Sequence, residues 1–458
     1  MLTRIEKMIV ERCAKGKLRS LQKPTQTLEQ FATSSSSKLI DFSSNDYLGL
    51  SRNIKLYQSI QNKMPSFQIK GRNHSHLPIM GSSGSRLLTG DNSLYHDTEL
   101  FLANFHKHKH ALLCNSGWDL NFGILSSISS SDTVVIFDEL SHNSIVIGTK
   151  LGRQSQTMKF KHNDLTHLQQ LLDHTRKTKG SHTEILIVVE SVYSMDGDVC
   201  PLVNLFTLAK QYNAMILVDE AHSTGIYGSQ GEGLVTSLGL THHECLLGVV
   251  HTFGKAVGQH GAALLTSHES FVQYLLNYAY PIIYSTSLPV HSLISIRAAY
   301  EYMSSAQAER ESLFDLVDYF KNESNQYESL AKDVTVSESP IQALLVPGNE
   351  NVLQMASGLR KEGFLCFPIR APTVEEGRER LRIVLHVHNT KTEIKNLFAA
   401  IHRLHISHGQ TNGKSNSNAF PVTTKNNVTY ANAGELIANE SGSFVVREEV
   451  VLASNRLL

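Results

Sequence analysis

The sequence predicts an α/β protein: a large, mostly parallel sheet domain followed by a smaller C-terminal α/β domain. Two patterns carry that expectation. Between about residues 111 and 265, short and wholly apolar runs alternate with stretches of helical spacing. A run with no polar alternation reads as a strand covered on both faces, the signature of a parallel sheet between layers of helix. From about Val290 the pattern changes to a long helical stretch and then isolated strand-like runs, which marks a second domain. A chain of 458 residues has room for two domains plus tails.

In chain order, residues 1–20 mix charges of both signs with Ile and Val and lack the apolar core of a secretory signal, so they read as an amphipathic helix. A Ser-rich connector at residues 33–37 follows, and residues 1–45 form an N-terminal helix and connector. The large domain spans 46–290. Its residues 77–90, rich in Gly and Ser, form a loop of tight turns, and residues 96–105 have helical spacing. Buried strands are expected at 111–114, 133–137, 184–189, 214–218, 245–250 and 261–265. The small domain, 291–408, starts with a helical stretch at 293–319 and has strands near 341–346 and 382–385. Residues 409–458 form a polar tail rich in Asn, Ser and Thr.

Composition excludes several function classes. Hydrophobic residues make up 41% and charged residues 18%, as in a globular protein. Lys+Arg and Asp+Glu balance at 42 each, which gives no electrostatic case for nucleic acid or an anionic membrane as partner. No apolar run approaches the roughly 20 residues that span a bilayer. The five cysteines lack C-x-x-C spacing and read as reduced thiols of an intracellular, cytoplasmic protein.

Ligands of open α/β sheets gather at the carboxyl ends of the strands. There the chain has His251-Thr252-Phe253-Gly254-Lys255 after one strand and Asp219-Glu220-Ala221-His222 at the end of another. A strand-end carboxylate, a histidine three residues on and a lysine between glycines are what pyridoxal 5′-phosphate requires: Asp219 keeps the pyridine nitrogen protonated, and Lys255 bonds the aldehyde. Ser116-Gly117-Trp118 opens a helix, whose first amides suit a phosphate, and Thr252 adds a hydroxyl to it. His142, after a third strand, can lie flat on the ring; His222 can meet the ring hydroxyl; Ser194 can bond the ring oxygen. Asp196-Gly197-Asp198 lacks the other ligands of a calcium loop and reads as a turn. The alternating His106-Lys107-His108-Lys109-His110 reads as an exposed helix end, and no metal site is expected. Arg370 and Arg382 stand beside expected strands, where a guanidinium can hold a substrate carboxylate.

These segments, from about residue 18 to about 406, resemble the α-oxoamine synthase family of fold-type I pyridoxal-phosphate transferases. The shared motifs include Ser44-Asn45-Asp46-Tyr47-Leu48-Gly49-Leu50-Ser51, residues 81–90, Ser194-Met195-Asp196-Gly197-Asp198, Val218-Asp219-Glu220-Ala221-His222, Thr252-Phe253-Gly254-Lys255 and Tyr284-Ser285-Thr286-Ser287-Leu288-Pro289. The resemblance implies Lys255, His142, Asp219 and His222 as catalytic residues. It implies Gly117, Trp118, Ser194, Thr252, Ser285 and Thr286 as further cofactor contacts, the last two reaching a partner subunit's phosphate in a homodimer. Arg19, Thr373, Arg382 and Arg370 match substrate-binding positions. The implied reaction is decarboxylative condensation of L-alanine with a pimeloyl thioester, as in biotin synthesis; the alternative is glycine or alanine with a different acyl-CoA. Trp118 replaces the usual Phe or Tyr, Asp119 a small residue, and Ala371 a common proline.

Overall fold

Runs of Val, Ile and Leu, whose side chains pack well on a pleated surface covered from both sides, become the strands of the central sheet. The computed structural model describes residues 1–15, 17–18, 39–64, 68–70, 76–78, 80–330 and 332–413. In chain order the strands are β1 (Ile40–Asp41), β2 (Gln68–Lys70), β3 (His76–Pro78), β4 (His110–Cys114), β5 (Thr133–Asp138), β6 (Gln156–Phe160), β7 (Glu184–Glu190) and β8 (Met215–Asp219). They continue as β9 (Leu246–Thr252), β10 (Ala262–Thr266), β11 (Val334–Thr335), β12 (Ile341–Leu345), β13 (Phe364–Leu365), β14 (Phe367–Ile369) and β15 (Arg380–Val384).

The large sheet has seven strands in the order β4-β10-β9-β8-β7-β5-β6. Strands β6, β5, β7, β8 and β9 run parallel, and β10 runs antiparallel to both β9 and β4. Alternate residues of each strand face opposite layers. Val134, Ile136, Ile187 and Val218 pack with Leu168 and Phe206 on one side, while Val135, Phe137, Val188 and Leu217 pack with Leu120, Ile124 and Leu275 on the other. Each such side chain contributes about 1.5–3 kcal/mol on full burial. The edge strand β6 was not anticipated, because Gln156-Thr157-Met158-Lys159-Phe160 alternates in burial and has no apolar run.

The small sheet is antiparallel in the order β11-β12-β15-β14, and β1 pairs in parallel with β13. The helical stretch expected at 293–319 is two helices, Val290–Ser304 and Gln307–Ser324. The break is held by Arg310, whose buried guanidinium donates to the Met303 carbonyl at 2.7 Å. Apolar spacing continues across it, which is why periodicity alone reads one helix. Leu2–Ala14 is helical with no buried side chain, and helix Lys391–Gly413 crosses the start of the expected tail, the rest of which lies outside the described residues. Among the described residues no helix is long and apolar enough to cross a membrane.

Candidate active site

Because β5, β7, β8 and β9 are parallel, the residues that end them meet at one edge: Asp138, Glu190, Asp219 and Thr252. A cavity of about 290 Å³ opens there, lined by Asn45, Gly117, Trp118, Asn121, His142, Glu190, Asp219, His222, Thr252 and Lys255 among others. That volume is at the lower end of small-ligand pockets.

Lys255 Nζ lies 2.8 Å from His222 Nε2, and His222 Nδ1 lies 2.6 Å from the Tyr47 hydroxyl, which in turn donates to Asn45 Oδ1 at 3.3 Å. Burial pushes the Lys255 amine down to about 8, with the Asp219 and Glu190 carboxyls opposing the shift and Arg382 adding to it. Burial, then Lys255, holds His222 well below its ordinary range, so its ring is neutral. A neutral ring that accepts from Lys255 at Nε2 donates from Nδ1, which gives the chain Lys255 to His222 to Tyr47 one consistent direction. Burial also raises the Tyr47 hydroxyl to about 12.

Asp219 accepts from Asn121 Nδ2 at 2.6 Å and from the Ala221 amide at 2.9 Å. The Asn121 amide also donates to Ser144 Oγ at 3.2 Å, and Ser144 Oγ sits 2.8 Å from His142 Nδ1. The His142 backbone N–H donates to Glu190 Oε1 at 2.6 Å. Burial lowers the His142 pKa, leaving an uncharged imidazole on the cavity wall.

Ser116 caps helix Gly117–Ser127. Its Oγ accepts from the Asp119 amide at 3.1 Å and donates to Asp119 Oδ2 at 2.8 Å. The reciprocal bond leaves the Gly117 and Trp118 amides without acceptors inside the helix, the usual state of a first turn and an anion site in waiting. A Cβ at Gly117 would lie 2.3 Å from Thr252 Cγ2, so only glycine lets the two segments approach. Thr252 Oγ1 and Arg382 Nη2 are buried with no hydrogen-bond partner among the described residues. Unmet buried donors cost about 1–3 kcal/mol each unless a ligand meets them. A lysine amine whose proton burial loosens, a carboxylate, a flat imidazole, free helix amides and an orphaned hydroxyl fit pyridoxal 5′-phosphate.

Other expected site residues lie elsewhere. Ser194 does not line the cavity; its carbonyl accepts from Arg382 Nε at 2.6 Å. Ser285 and Thr286 adjoin the rim, where Asn115 Nδ2 donates to the Thr286 carbonyl at 2.8 Å. Arg370 and Thr373 share a turn, and Arg370 Nη2 donates to the Leu18 carbonyl at 3.1 Å; neither lines the cavity. Arg19 lies outside the described residues. Sequence reasoning missed Asn121 and Glu190. Asn121 sits one helical turn beyond Gly117 and could have been found as a polar residue on an otherwise apolar helix face. Glu190 could have been found as a charge ending the apolar run Ile185-Leu186-Ile187-Val188-Val189.

Two histidine groups outside the cavity correct or extend the sequence reading. The expected exposed helix end at 106–110 is in part core: His106 and His108 are buried, and His106 Nε2 lies 3.1 Å from the Tyr300 hydroxyl. Burial pushes His106 down to about 4. The turn Asp196-Gly197-Asp198 is clamped from two sides, by Arg380 on Asp196 and by His162 on Asp198. His162 Nδ1 also bonds Asp138 Oδ1 at 2.9 Å, so one imidazolium ties three loops together.

Burial opposes the charge on His162, but the bonds to Asp138 and Asp198 outweigh it and raise the pKa from 6.5 to about 10. A folded pKa above the unfolded one stabilises the fold fully below pH 6.5, and that contribution is lost as pH rises through about 10. His162→Gln is therefore expected to lower the melting temperature at pH 6, with the gap to the parent protein narrowing as pH approaches 10. A gap that stays constant across this range would show that the imidazolium charge is not what holds the loops.

The sequence profile of the aminotransferase class I and II family matches residues 37–401. An 8-amino-7-oxononanoate synthase of Emericella nidulans is 36% identical over 385 residues, which cover 80% of this chain and 89% of that protein. The crystal structure of 8-amino-7-oxononanoate synthase from Francisella tularensis superposes with a TM-score of 0.66 at 26% identity, over 81% of this chain and 99% of that one. A serine palmitoyltransferase of Sphingomonas wittichii superposes with a TM-score of 0.73 at 23% identity, over 90% of this chain and 99% of that one, a likeness of fold alone.

Proposed function

The chain belongs to the aminotransferase class I and II family, and on that footing we propose that it is a pyridoxal 5′-phosphate-dependent acyltransferase that condenses L-alanine with a pimeloyl thioester, giving 8-amino-7-oxononanoate, the free thiol and carbon dioxide. The observation that carries this reading is the shared cavity of Lys255, Asp219 and the unmet donor at Thr252.

When bound, the cofactor supplies an aldehyde that bonds amines and a ring that takes up negative charge. Lys255 would bond that aldehyde and then act on the α-proton of the amino acid; both tasks need an uncharged amine, and burial brings one within reach near neutral pH. His222 holds the Lys255 nitrogen in place and takes its own orientation from Tyr47. Asp219, fixed by Asn121 and the Ala221 amide, would keep the ring nitrogen protonated, and His142 would cover one face of the ring. Gly117, Trp118 and Thr252 would hold the phosphate. Arg382, anchored through Nε and free at Nη2, would hold the amino-acid carboxylate. The same reading makes the protein a homodimer, with Ser285 and Thr286 completing the partner's phosphate site. The buried free thiols Cys114, Cys200, Cys245 and Cys366 suit a reducing compartment such as the cytoplasm.

The test is incubation with alanine or glycine and a panel of acyl thioesters, following thiol release and product mass. Alanine with a pimeloyl thioester should give the fastest thiol release and the mass of 8-amino-7-oxononanoate. Faster release with glycine or a shorter acyl chain would move the assignment to another α-oxoamine synthase.

A further inference from the structure

We propose that Glu190 is a positioning residue that works as an uncharged carboxylic acid, holding the backbone of His142 while leaving Asp219 the only anion at the floor of the cavity. This inference deepens the proposed function and rests on it.

Glu190 and Asp219 are register partners at the ends of the neighbouring parallel strands β7 and β8. Partners in a parallel pair project to the same face, so both carboxyls belong to one cavity wall, and both line the cavity. Their surroundings differ. Asp219 receives two donors, Asn121 Nδ2 and the Ala221 amide. Glu190 is 2% exposed, receives the single amide of His142, and makes no ion pair among the described residues. The charged or titratable groups facing it are Asp219 on β8, Asp138 on β5, His142 in the segment after β5, and Lys255 after β9. Only Lys255 among these is a cation, and its nitrogen is bonded to His222. Burial first, then the Asp219 charge, raises the Glu190 carboxyl to about 8. Two neighbouring buried carboxyls disfavour a second negative charge, and Glu190, with one donor against two, is the one placed to hold the proton.

The role of His142 explains why a neutral acid suits this place. Asp219 already pulls a proton toward the His142 ring, which has to remain an uncharged plate, and a second anion at this edge would add to that pull. A protonated carboxyl fixes the His142 backbone without adding that charge.

The experiment compares the cofactor-loaded parent protein with Glu190→Gln and Glu190→Ala. The infrared difference between parent and Glu190→Gln at neutral pH should contain the carbonyl stretch of a protonated carboxyl; carboxylate bands in its place would overturn the inference. Glutamine keeps shape and neutrality, so its affinity for pyridoxal phosphate should stay within about threefold of the parent, whereas alanine, which leaves the His142 amide unmet, should weaken it by about tenfold or more. Glutamine behaving as badly as alanine would also overturn it. A parent protein that takes up no pyridoxal phosphate would overturn the proposed function and this inference together. Normal uptake by the parent with carboxylate bands in the difference spectrum would overturn this inference alone.

Discussion

Lys255→Ala should abolish turnover, by at least about 10⁴-fold, the upper range for removing a proton-transfer group that is also the covalent anchor. The same variant should lose the visible absorbance of the cofactor-loaded protein. The expectation comes from the single place the amine occupies: half-buried, 2.8 Å from His222 Nε2, and in the cavity that Asp219 also lines. Its depressed pKa adds a pH signature. Uptake of pyridoxal phosphate by the cofactor-free parent should speed up as pH rises and level off above about 8, where an ordinary lysine would keep gaining beyond 10. Unchanged turnover in Lys255→Ala, or an intact visible band, would remove the basis of the proposed function. Because among the described residues the side chain bonds only His222, the variant should fold, and far-ultraviolet circular dichroism would establish that.

Asp219→Ala is expected to lower turnover by about 10²–10³-fold, the usual loss when a preorganised charge is removed from a reacting centre. It should also destabilise the protein by about 1–3 kcal/mol, because Asn121 Nδ2 and the Ala221 amide lose their acceptor in a buried place. Thermal melts and steady-state kinetics separate the two effects. Full activity in a folded Asp219→Ala protein would mean that no ring nitrogen needs this carboxylate.

Much of the fold could be read from the sequence because its strands are buried on both sides. Thr133-Val134-Val135-Ile136-Phe137 has no polar break, and nothing but a covered strand suits it. The edge strand β6 escaped because an edge has one wet side and no need for such a run. The division of residues 290–324 into two helices escaped because the break depends on a guanidinium bonding a carbonyl seven residues back, a tertiary choice that spacing does not encode. The candidate site was legible where one residue announces its chemistry, as Lys255 and Asp219 do. Residues that act through another were not legible. Asn121 has meaning only once Asp219 is 2.6 Å away, and Glu190 only once β7 and β8 are aligned so that it stands beside Asp219. The histidines at 106 and 108 misled for the same reason, since alternation with lysine suggests an outer surface while the helix end turns both rings inward.

The parallel pairing of β1 with β13 has a bearing on how the protein is made. Tyr47, which orients His222, lies in the segment that leaves β1, and its own carbonyl accepts from the Val387 amide at 3.0 Å. Residues near 40 must therefore wait for residues near 364 to leave the ribosome, while the seven-stranded sheet between them has no such delay. Closing so long a loop is entropically slow but adds little cost for each further residue. A nascent chain would thus possess its lysine, its aspartate and its large sheet well before β1 finds β13, and that late junction would fix the strand from which the tyrosine's segment sets out.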